Sequence, residues 1–288
     1  MDARAHSRGL LALENGIAAI DRSDLRVLEA RGADAVTWLD ALVTSDIAGL
    51  VPGQLGRTLL LSPTGHLRAD LIVVRTGDGL VLLQDPAQPD AAEALLAPYV
   101  LSADVVLEPS PLTLFEVPRD PGVPGTLWTA RPGILGTGVL LALPADEHDD
   151  VADAIANTFP LAEADDVERH RVRMGVARFP VDLTPSSIPA EAGLDSALVH
   201  VDKGCFLGQE SVAKVRNLGH PPVLVIPLWI DREVFPDDPV LENGERVGSV
   251  TSAAPAIGGT HVLARVRWKD GATERHLNDG RGHRYRPR

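Results

Sequence analysis

The sequence predicts an α+β fold that ends in a separate all-β domain, and three observations lead to that prediction. Short β-rich runs separated by turn sequences fill residues 56–85. Amphipathic helical stretches occur near residues 90–98, 150–158 and 165–174, whereas only β-like runs follow residue 219. With 288 residues, of which 44% are hydrophobic, the chain is long enough for about two domains with buried cores.

The first elements are a strand and a helix. Residues 25–31 form a short apolar strand pattern, and Val36, Leu39 and Val43 then fall at helical spacing until Gly49 ends the unit. Three β-rich runs follow, separated by the turn sequences SPTGH and TGDG. These runs predict an antiparallel meander.

The next part of the chain alternates between helices and short strands. Asp90 is the expected N-cap of a helix, and strands separated by Pro/Gly turns are expected over residues 105–145. Two further helices are expected near Asp150 and over residues 165–174. Residues 179–204 then show little periodicity, and a long irregular segment within a compact domain is typical of a functional region.

Charge and cysteine content exclude several classes of protein. A net charge of −13 disfavours direct nucleic-acid binding over most of the surface, with the arginine-rich residues 281–288 as the exception. We expect those residues to form a frayed, solvated end. One cysteine excludes an internal disulfide and any cysteine-rich metal site. No secretory signal and no membrane-length apolar run is evident, so a soluble, cytoplasmic protein is expected.

The only cysteine lies in a glycine-rich stretch, VDKGCFLGQE. Lys203 stands two residues before Cys205, and Gly204 and Gly208 permit backbone conformations closed to other residues. Such surroundings favour a reactive or ligating thiolate, while a lone cysteine is also common as a small packed hydrophobe. A metal site formed by His200, Asp202 and Cys205 would match no standard spacing, so no metal is predicted.

Two other stretches hold candidate binding residues. In SPTGHLRADL, strand alternation places Arg68 and Asp70 on one face, either for binding or as an ordinary charge pair on a solvated hairpin. Glu191 follows Pro189 in the irregular segment, where a carboxylate could equally stabilise a helix start.

The residues from Lys203 to Glu210 resemble the signature K-G-C-[FY]-x-G-Q-E of the YgfZ family of folate-binding proteins, relatives of the glycine cleavage aminomethyltransferase T-protein. The motif loop consists of Lys203, Gly204, Cys205, Phe206, Gly208, Gln209 and Glu210. Similar matches extend to LSPTGHLRADLIV, IPAEAGLDSALVHVDKG and GERVGSVTSAA. The resemblance implies a GcvT-like cloverleaf of three small domains around a central hole. Two interleaved α+β domains would span residues 1–215, and a C-terminal β-barrel would span residues 216–288.

The resemblance also implies a ligand. Tetrahydrofolate would lie in the central hole, with Asp70, Glu191 and Arg68 as contacts. The chain departs from the T-protein at Ala69, which replaces one of two adjacent aspartates, and at Arg173, where many relatives have a pterin-binding glutamate. Loss of that aspartate weakens aminomethyl transfer, which needs a carboxylate that handles protons. Arginine at position 173 cannot accept a pterin hydrogen bond, so Glu191 becomes the better candidate acceptor, and the substitution favours the scaffold that binds no ligand. The cysteine loop, part of which the T-protein lacks, favours the YgfZ-like role.

The function implied by the resemblance is support of iron–sulfur cluster assembly or repair. Clients would be iron–sulfur enzymes or assembly proteins, with an indirect effect on tRNA modification and no direct nucleic-acid contact. Cys205 would be the reactive group, Lys203 would favour its thiolate, and Gln209 and Glu210 would fix the loop. The chain is expected to act as a monomer. The alternatives are a folate-dependent aminomethyltransferase and a scaffold that binds no ligand.

Overall fold

The structure is a computed structural model that describes residues 7–269 and 275–287. Its helices are α1 (Arg8–Glu14), α2 (Ala35–Asp40), α3 (Ala92–Leu96), α4 (His148–Ala156), α5 (Ala164–Arg173), α6 (Leu194–Leu198) and α7 (Gln209–Leu218). Short 3₁₀ helices lie at Ala97–Tyr99, Ala145–Glu147, Pro189–Ala192 and Val201–Lys203. Within the described ranges, no helix combines the length and apolar character that crossing a membrane requires.

Two five-stranded sheets share the N-terminal part of the chain. The first, in spatial order β10-β1-β7-β9-β8, contains β1 (Ala19–Asp21), β7 (Leu112–Val117), β8 (Trp128–Ala130), β9 (Val139–Pro144) and β10 (Leu161–Ala162). The second, in order β3-β4-β5-β2-β6, contains β2 (Arg26–Arg31), β3 (Leu55–Leu61), β4 (Leu67–Arg75), β5 (Gly79–Gln84) and β6 (Val106–Pro109). The chain enters the first sheet at β1, leaves for the second and then returns to the first at β7.

The third sheet is built entirely from the C-terminal part of the chain. In order β15-β12-β13-β14-β11-β16, it contains β11 (Val223–Ile230), β12 (Pro239–Glu242), β13 (Glu245–Ala256), β14 (Gly259–Arg267), β15 (Leu277–Asn278) and β16 (Arg286–Pro287). It is antiparallel throughout and nearly closes into a barrel around its own apolar cluster. The predicted C-terminal β domain is therefore present. The division between residues 215 and 216 falls inside α7 and stays a proposal.

One apolar cluster joins the second and third sheets. It combines Leu61 of β3 and Leu67 of β4 with Phe179, Phe206 and Leu263 of β14. Phe179 is 1% exposed and Phe206 6%. Burying each aromatic ring stabilises the structure by about 2 to 3 kcal/mol. The irregular segment and the cysteine motif are thus held against both the second and the third sheet.

Three local predictions were wrong. Asp90 does not cap α3, because the N-cap is Ala91 and the Asp90 carboxylate pairs with Arg68 instead. The helix expected up to Gly49 ends at Asp40, whose carboxylate then accepts the backbone N–H groups of the following loop at residues 47 and 48.

The C-terminal residues are also ordered where we expected a frayed end. Within residues 281–287, strand β16 (Arg286–Pro287) pairs with β11, and Tyr285 is buried in the third sheet at 3% exposure. Arg288 lies outside the described residues. The ring of Tyr285 provides the apolar burial that a tail of arginine and glycine lacks.

Candidate functional site

A cavity of about 520 Å³ lies where the first two sheets meet α5. The end of β1, the linker that leads to β2, Asp85 beyond β5 and the outer face of α5 form its wall. The charged residues of this wall are Asp21, Arg22, Asp24, Asp85, Glu163, Glu168, Arg171 and Arg178. The cavity therefore offers both carboxylates and guanidinium groups to a ligand.

An ion-pair network ties one wall of the cavity to the third sheet. Arg171 donates two hydrogen bonds to Glu168, at 2.9 and 2.6 Å, and one to Asp182 at 2.7 Å. Asp182 is fully buried and also accepts from the hydroxyls of Thr251 and Ser252 on β13. Burial opposes ionisation of Glu168, but Arg171 outweighs it and holds the pKa of this carboxyl below its ordinary value.

Arg178 extends the network toward the second sheet. Its Nη1 donates to Glu168 Oε2 at 3.0 Å, and its Nε lies 3.4 Å from Asp85 Oδ2. The Nε is buried and makes no hydrogen bond within the described part of the chain. Leaving a buried N–H donor without a hydrogen bond costs free energy. An oxygen atom of a bound ligand could accept this hydrogen bond and remove that cost.

Asp70 is held by an arginine that sequence reasoning missed. On β3, the cross-strand neighbour Arg57 donates from Nε to Oδ1 at 2.9 Å and from Nη2 to Oδ2 at 2.5 Å. Burial alone would lower the pKa of the Arg57 guanidinium, but the charge of Asp70 outweighs it and raises that pKa. Both groups are mostly buried, with side-chain exposures of 24% for Arg57 and 12% for Asp70.

Arg57 links Asp70 to the cavity wall, although neither residue lines the cavity itself. Arg57 Nη2 also donates to the carbonyl oxygen of Ala177 at 3.2 Å, next to Arg178 in the chain, and Arg57 is close enough to Arg171 for their charges to repel. Ala69, by contrast, is fully buried in the apolar core on the other face of β4. A carboxylate at position 69 would point away from Asp70, so its absence removes nothing from the Asp70 face.

Glu191 and Arg68 both have protein partners. Glu191 is 2% exposed, its Oε2 accepts from Arg265 at 3.0 Å, and its Oε1 accepts the N–H of Ile188 at 3.4 Å. Arg68 lies on the same face of β4 as Asp70 and pairs with Asp90 at 3.2 Å near the surface. Arg173, which takes the place of the relatives' glutamate, pairs with Glu14 of α1.

In the motif loop, the lysine and the cysteine have different surroundings. The side chain of Lys203 is 4% exposed. Its ammonium group donates to the carbonyl oxygen of Asp40 and lies 3.2 Å from Asp40 Oδ1. Burial lowers the pKa of Lys203, and the contact with Asp40 opposes that effect. The Cys205 thiol is exposed. Lys203 thus anchors the loop to the end of α2.

The glycines of the two motifs lie against each other. Gly208 has φ +83°, and a Cβ there would lie 2.5 Å from the Ser62 carbonyl oxygen and 3.3 Å from Gly65 Cα. Gly65, at the hairpin tip, has φ +80° and faces Ser211 of α7 in the same way. The hairpin that carries Asp70 is therefore in contact with the loop that carries Cys205.

Two further motif residues differ in role. Gln209 begins α7, and its Oε1 accepts the N–H of Phe206 at 3.3 Å, as expected for a residue that fixes the loop. Glu210 instead projects into solvent and pairs only with Lys214, one turn along α7. A pocket of about 220 Å³ lies beside this helix, between the hairpin tip and the 3₁₀ helix Pro189–Ala192.

The sequence-derived residues do not form one site. The structure places Asp70 against Arg57, Glu191 against β14 and Cys205 on the surface, and it adds the cavity residues Arg171 and Arg178. Arg57 had a signal in the sequence, since a charge in the apolar strand β3 needs a partner on the paired strand. No group of three metal-ligating side chains occurs within residues 7–269 and 275–287.

Comparison with known proteins shows which fold this is. Residues 3–99 match the family model described as the GCVT N-terminal domain. The structure superimposes on the glycine cleavage system aminomethyltransferase T from Bartonella henselae with a TM-score of 0.82, 20% sequence identity, and coverage of 98% of this chain and 88% of that one. The chain therefore has the GcvT-like fold, as the resemblance implied.

Sequence relatives carry two different names. An aminomethyltransferase of Synechococcus sp. (strain CC9902) is 27% identical over 298 residues, 88% of this chain and 81% of the relative. The mitochondrial iron–sulfur cluster assembly factor IBA57 homolog of Cryptococcus neoformans is 26% identical over 249 residues, 70% of this chain and 64% of the relative. The similarity extends to both groups at nearly equal identity.

Proposed function

We propose that this chain is a folate-binding accessory protein, of the YgfZ kind, that supports iron–sulfur cluster assembly or repair. It would act as a cytoplasmic monomer on iron–sulfur enzymes or on assembly proteins, and through them on tRNA modification. The relative named as a cluster assembly factor and the motif Lys203–Glu210 support this role. The exposed Cys205 thiol is available to a protein partner as a nucleophile, redox group or transient ligand.

The residues around the cavity fit tetrahydrofolate. Its volume of about 520 Å³ is typical of sites for ligands of this size. A pterin ring carries N–H donors beside a carbonyl oxygen, which a carboxylate–guanidinium pair such as Asp70–Arg57 can match. The glutamate tail carries carboxylates, for which Arg171 and Arg178 are suitable partners. Bound tetrahydrofolate would act as the carrier of a one-carbon unit.

The observation that carries the proposal is that Arg57, mostly buried together with Asp70, also binds the backbone carbonyl next to Arg178 of the cavity wall. Arg57 sets the orientation of the Asp70 carboxylate, which keeps two lone pairs for a ligand. Glu191 and Arg68 remain proposed contacts. Each would have to leave its partner, Arg265 or Asp90, before it could bind folate.

Calorimetric titration with tetrahydrofolate and 5-formyl-tetrahydrofolate tests the folate site. We expect binding of about micromolar affinity that weakens roughly tenfold or more in Asp70→Asn, which keeps the side-chain shape but loses the charge. Asp78→Asn, an exposed aspartate in the turn at the other end of β4, is the matched control and should bind as the wild type does. Absence of heat with the wild-type protein would favour the scaffold that binds no ligand.

Activity in cells tests the cysteine. In a strain that lacks the protein, Cys205→Ser should fail to restore the activity of iron–sulfur enzymes, while Ser211→Ala on the nearby helix α7 should restore it. Full restoration by Cys205→Ser would remove the thiol from the proposal and leave the folate site to be judged by calorimetry.

The second candidate function is folate-dependent aminomethyl transfer. Two observations favour it: the aminomethyltransferase relatives match along nearly the whole chain, and Ala69 lies on the opposite face of β4 from Asp70. In this function, Asp70 would handle the proton at the folate nitrogen. Formation of methylene-tetrahydrofolate from tetrahydrofolate and an aminomethyl donor by the purified protein would establish it.

A further inference from the structure

The C-terminal end of the chain carries an arginine loop, residues 280–287, that takes no part in the sites above. Its sequence GRGHRYRP has three arginines and no acidic residue, on a protein whose net charge is −13. Arg281, Arg284 and Arg286 are all exposed. Among the described residues, their guanidinium groups have no ion-pair partner within 4 Å. The loop is therefore a local basic surface on an acidic molecule.

Two buried side chains, Asp279 and Tyr285, fix the backbone of the arginine loop. Asp279, whose side chain is fully buried, accepts the N–H of Arg281 at 2.8 Å and that of His283 at 3.1 Å, and it also pairs with Arg232. Tyr285 is buried in the core of the third sheet. A loop fixed in this way presents its side chains without the ordering cost that a flexible tail would incur on binding.

The arginines share a face with a tryptophan. Because Tyr285 points inward, strand alternation directs Arg284 and Arg286 outward together. Arg286 is directly opposite Trp229 on β11, and cross-strand partners project from the same face. The Trp229 ring is half-buried and lies 4.7 Å from the ring of His261 on β14. The face thus combines exposed positive charge with an amphipathic aromatic side chain.

Acidic side chains also lie near the arginine loop. Asp231 is the acidic group that faces it most directly, and its carboxylate is held by His283 Nδ1 at 2.8 Å. Arg286 is close enough to add to the effect of His283 in lowering the pKa of Asp231. Asp279, the other carboxylate that contacts the loop, is paired with Arg232, and Asp231 alone does not neutralise three guanidinium groups, so the loop keeps a net positive charge.

We propose that the arginine loop, together with Trp229, docks an acidic segment of a partner protein. Guanidinium groups bind carboxylates through paired hydrogen bonds, and arginine and tryptophan are both enriched among the residues that contribute most to binding at protein interfaces. A nucleic acid fits less well, because a phosphate backbone that runs past this small surface would meet the acidic surface beyond it.

Fluorescence anisotropy of a labelled octaglutamate peptide tests the docking surface. We expect binding at low ionic strength that weakens as salt is added, and an affinity about tenfold lower in the triple variant Arg281→Gln/Arg284→Gln/Arg286→Gln. The matched control is Arg31→Gln/Arg131→Gln/Arg216→Gln, which removes three exposed arginines from other parts of the surface. It should bind octaglutamate within about twofold of the wild type.

Three results would overturn the proposal. One is absence of octaglutamate binding to the wild type at low salt, and another is an equal loss in the two triple variants, which would mean that only net charge matters. The third is tighter binding of a single-stranded RNA of eight nucleotides that depends on the same three arginines, because that would make the surface a nucleic-acid site. Thermal unfolding of both variants checks that the loop has kept its fold.

Discussion

The hairpin that carries Asp70 and the loop that carries Cys205 touch each other but hold their functional groups in different ways. The Asp70 carboxylate lies within a sheet, mostly buried, with both oxygens bound by Arg57. The Cys205 thiol is exposed on a loop whose backbone is fixed by glycines and by the burial of Phe206. The hairpin motif positions the Asp70 carboxylate through Arg57, which lies outside the motif. The cysteine motif instead fixes its own backbone and leaves the Cys205 thiol exposed to solvent.

This difference indicates what the conspicuous residues of the cysteine motif do. Gly208 is required by its left-handed backbone and by the close approach of Ser62. Lys203 anchors the loop through Asp40. Most of the motif therefore serves to hold the loop in shape, and the exposed Cys205 thiol is the member to which our proposal assigns the chemistry.

The largest expected effect tests the contact between the two motifs. Gly208→Ala places a Cβ 2.5 Å from a backbone oxygen at a residue with φ +83°, so we expect it to lower the free energy of unfolding by about 3 kcal/mol. Gly193→Ala is the matched control, with φ +67° but open space around the new atom, and should cost about 1 kcal/mol. Urea unfolding measures both, and equal losses would contradict the close contact.

A smaller effect separates anchoring by Lys203 from support of the thiolate. Lys203→Met leaves the Asp40 carboxylate without its buried cation, although the N–H groups at residues 47 and 48 still bind it. We therefore expect a loss of about 2 kcal/mol in the free energy of unfolding. The rate at which a disulfide reagent modifies Cys205 in the folded protein should change by less than about twofold.

A different result would restore the role expected from the sequence. If Lys203→Met slows modification of Cys205 by about tenfold at neutral pH while the protein stays folded, the lysine does favour the thiolate. Lys214→Met is the control for the loss of one positive charge, because Lys214 lies in α7 and pairs only with Glu210 in solvent.

Most of the fold could be predicted because local patterns determine it. The meander β3–β5 follows from alternation and from the turn sequences SPTGH and TGDG, and α5 follows from its charged and apolar spacing. The end of α2 could not be predicted in this way. The Asp40 carboxylate accepts the backbone N–H groups of residues 47 and 48, and these hydrogen bonds favour a loop over continuation of the helix.

The site was less predictable, because charge partners are chosen by tertiary structure. From the sequence we identified Asp70 but overlooked the signal of Arg57, thirteen positions earlier, and we identified Lys203 but not Asp40, which lies in another element. Glu168 and Arg171 are neighbours on α5, but Arg178 and Asp182 join them only when the chain folds back after this helix. Neither spacing nor composition records that packing.

A pH titration sharpens the contrast between the cavity and the loop. The pKa of Glu168 is held below its ordinary value of 4.5, so its contribution to stability is present above that pH and is lost as the pH falls through the lowered value. Between about pH 5 and pH 3, the wild type should lose more stability than Glu168→Gln, and amide exchange should quicken in α5 first. Parallel pH curves for the two proteins would contradict the role given to Glu168.

The smallest expected effect concerns Glu210, which the structure leaves in solvent at the start of α7. Glu210→Gln removes only a surface pair with Lys214, so the urea midpoint should stay within the error of the measurement. If the motif serves only to shape the loop, this variant should also restore iron–sulfur enzyme activity in a strain that lacks the protein. Loss of that activity at unchanged stability would instead mean that a partner binds Glu210, and the exposed side of the loop would then be a recognition surface as well as a support for Cys205.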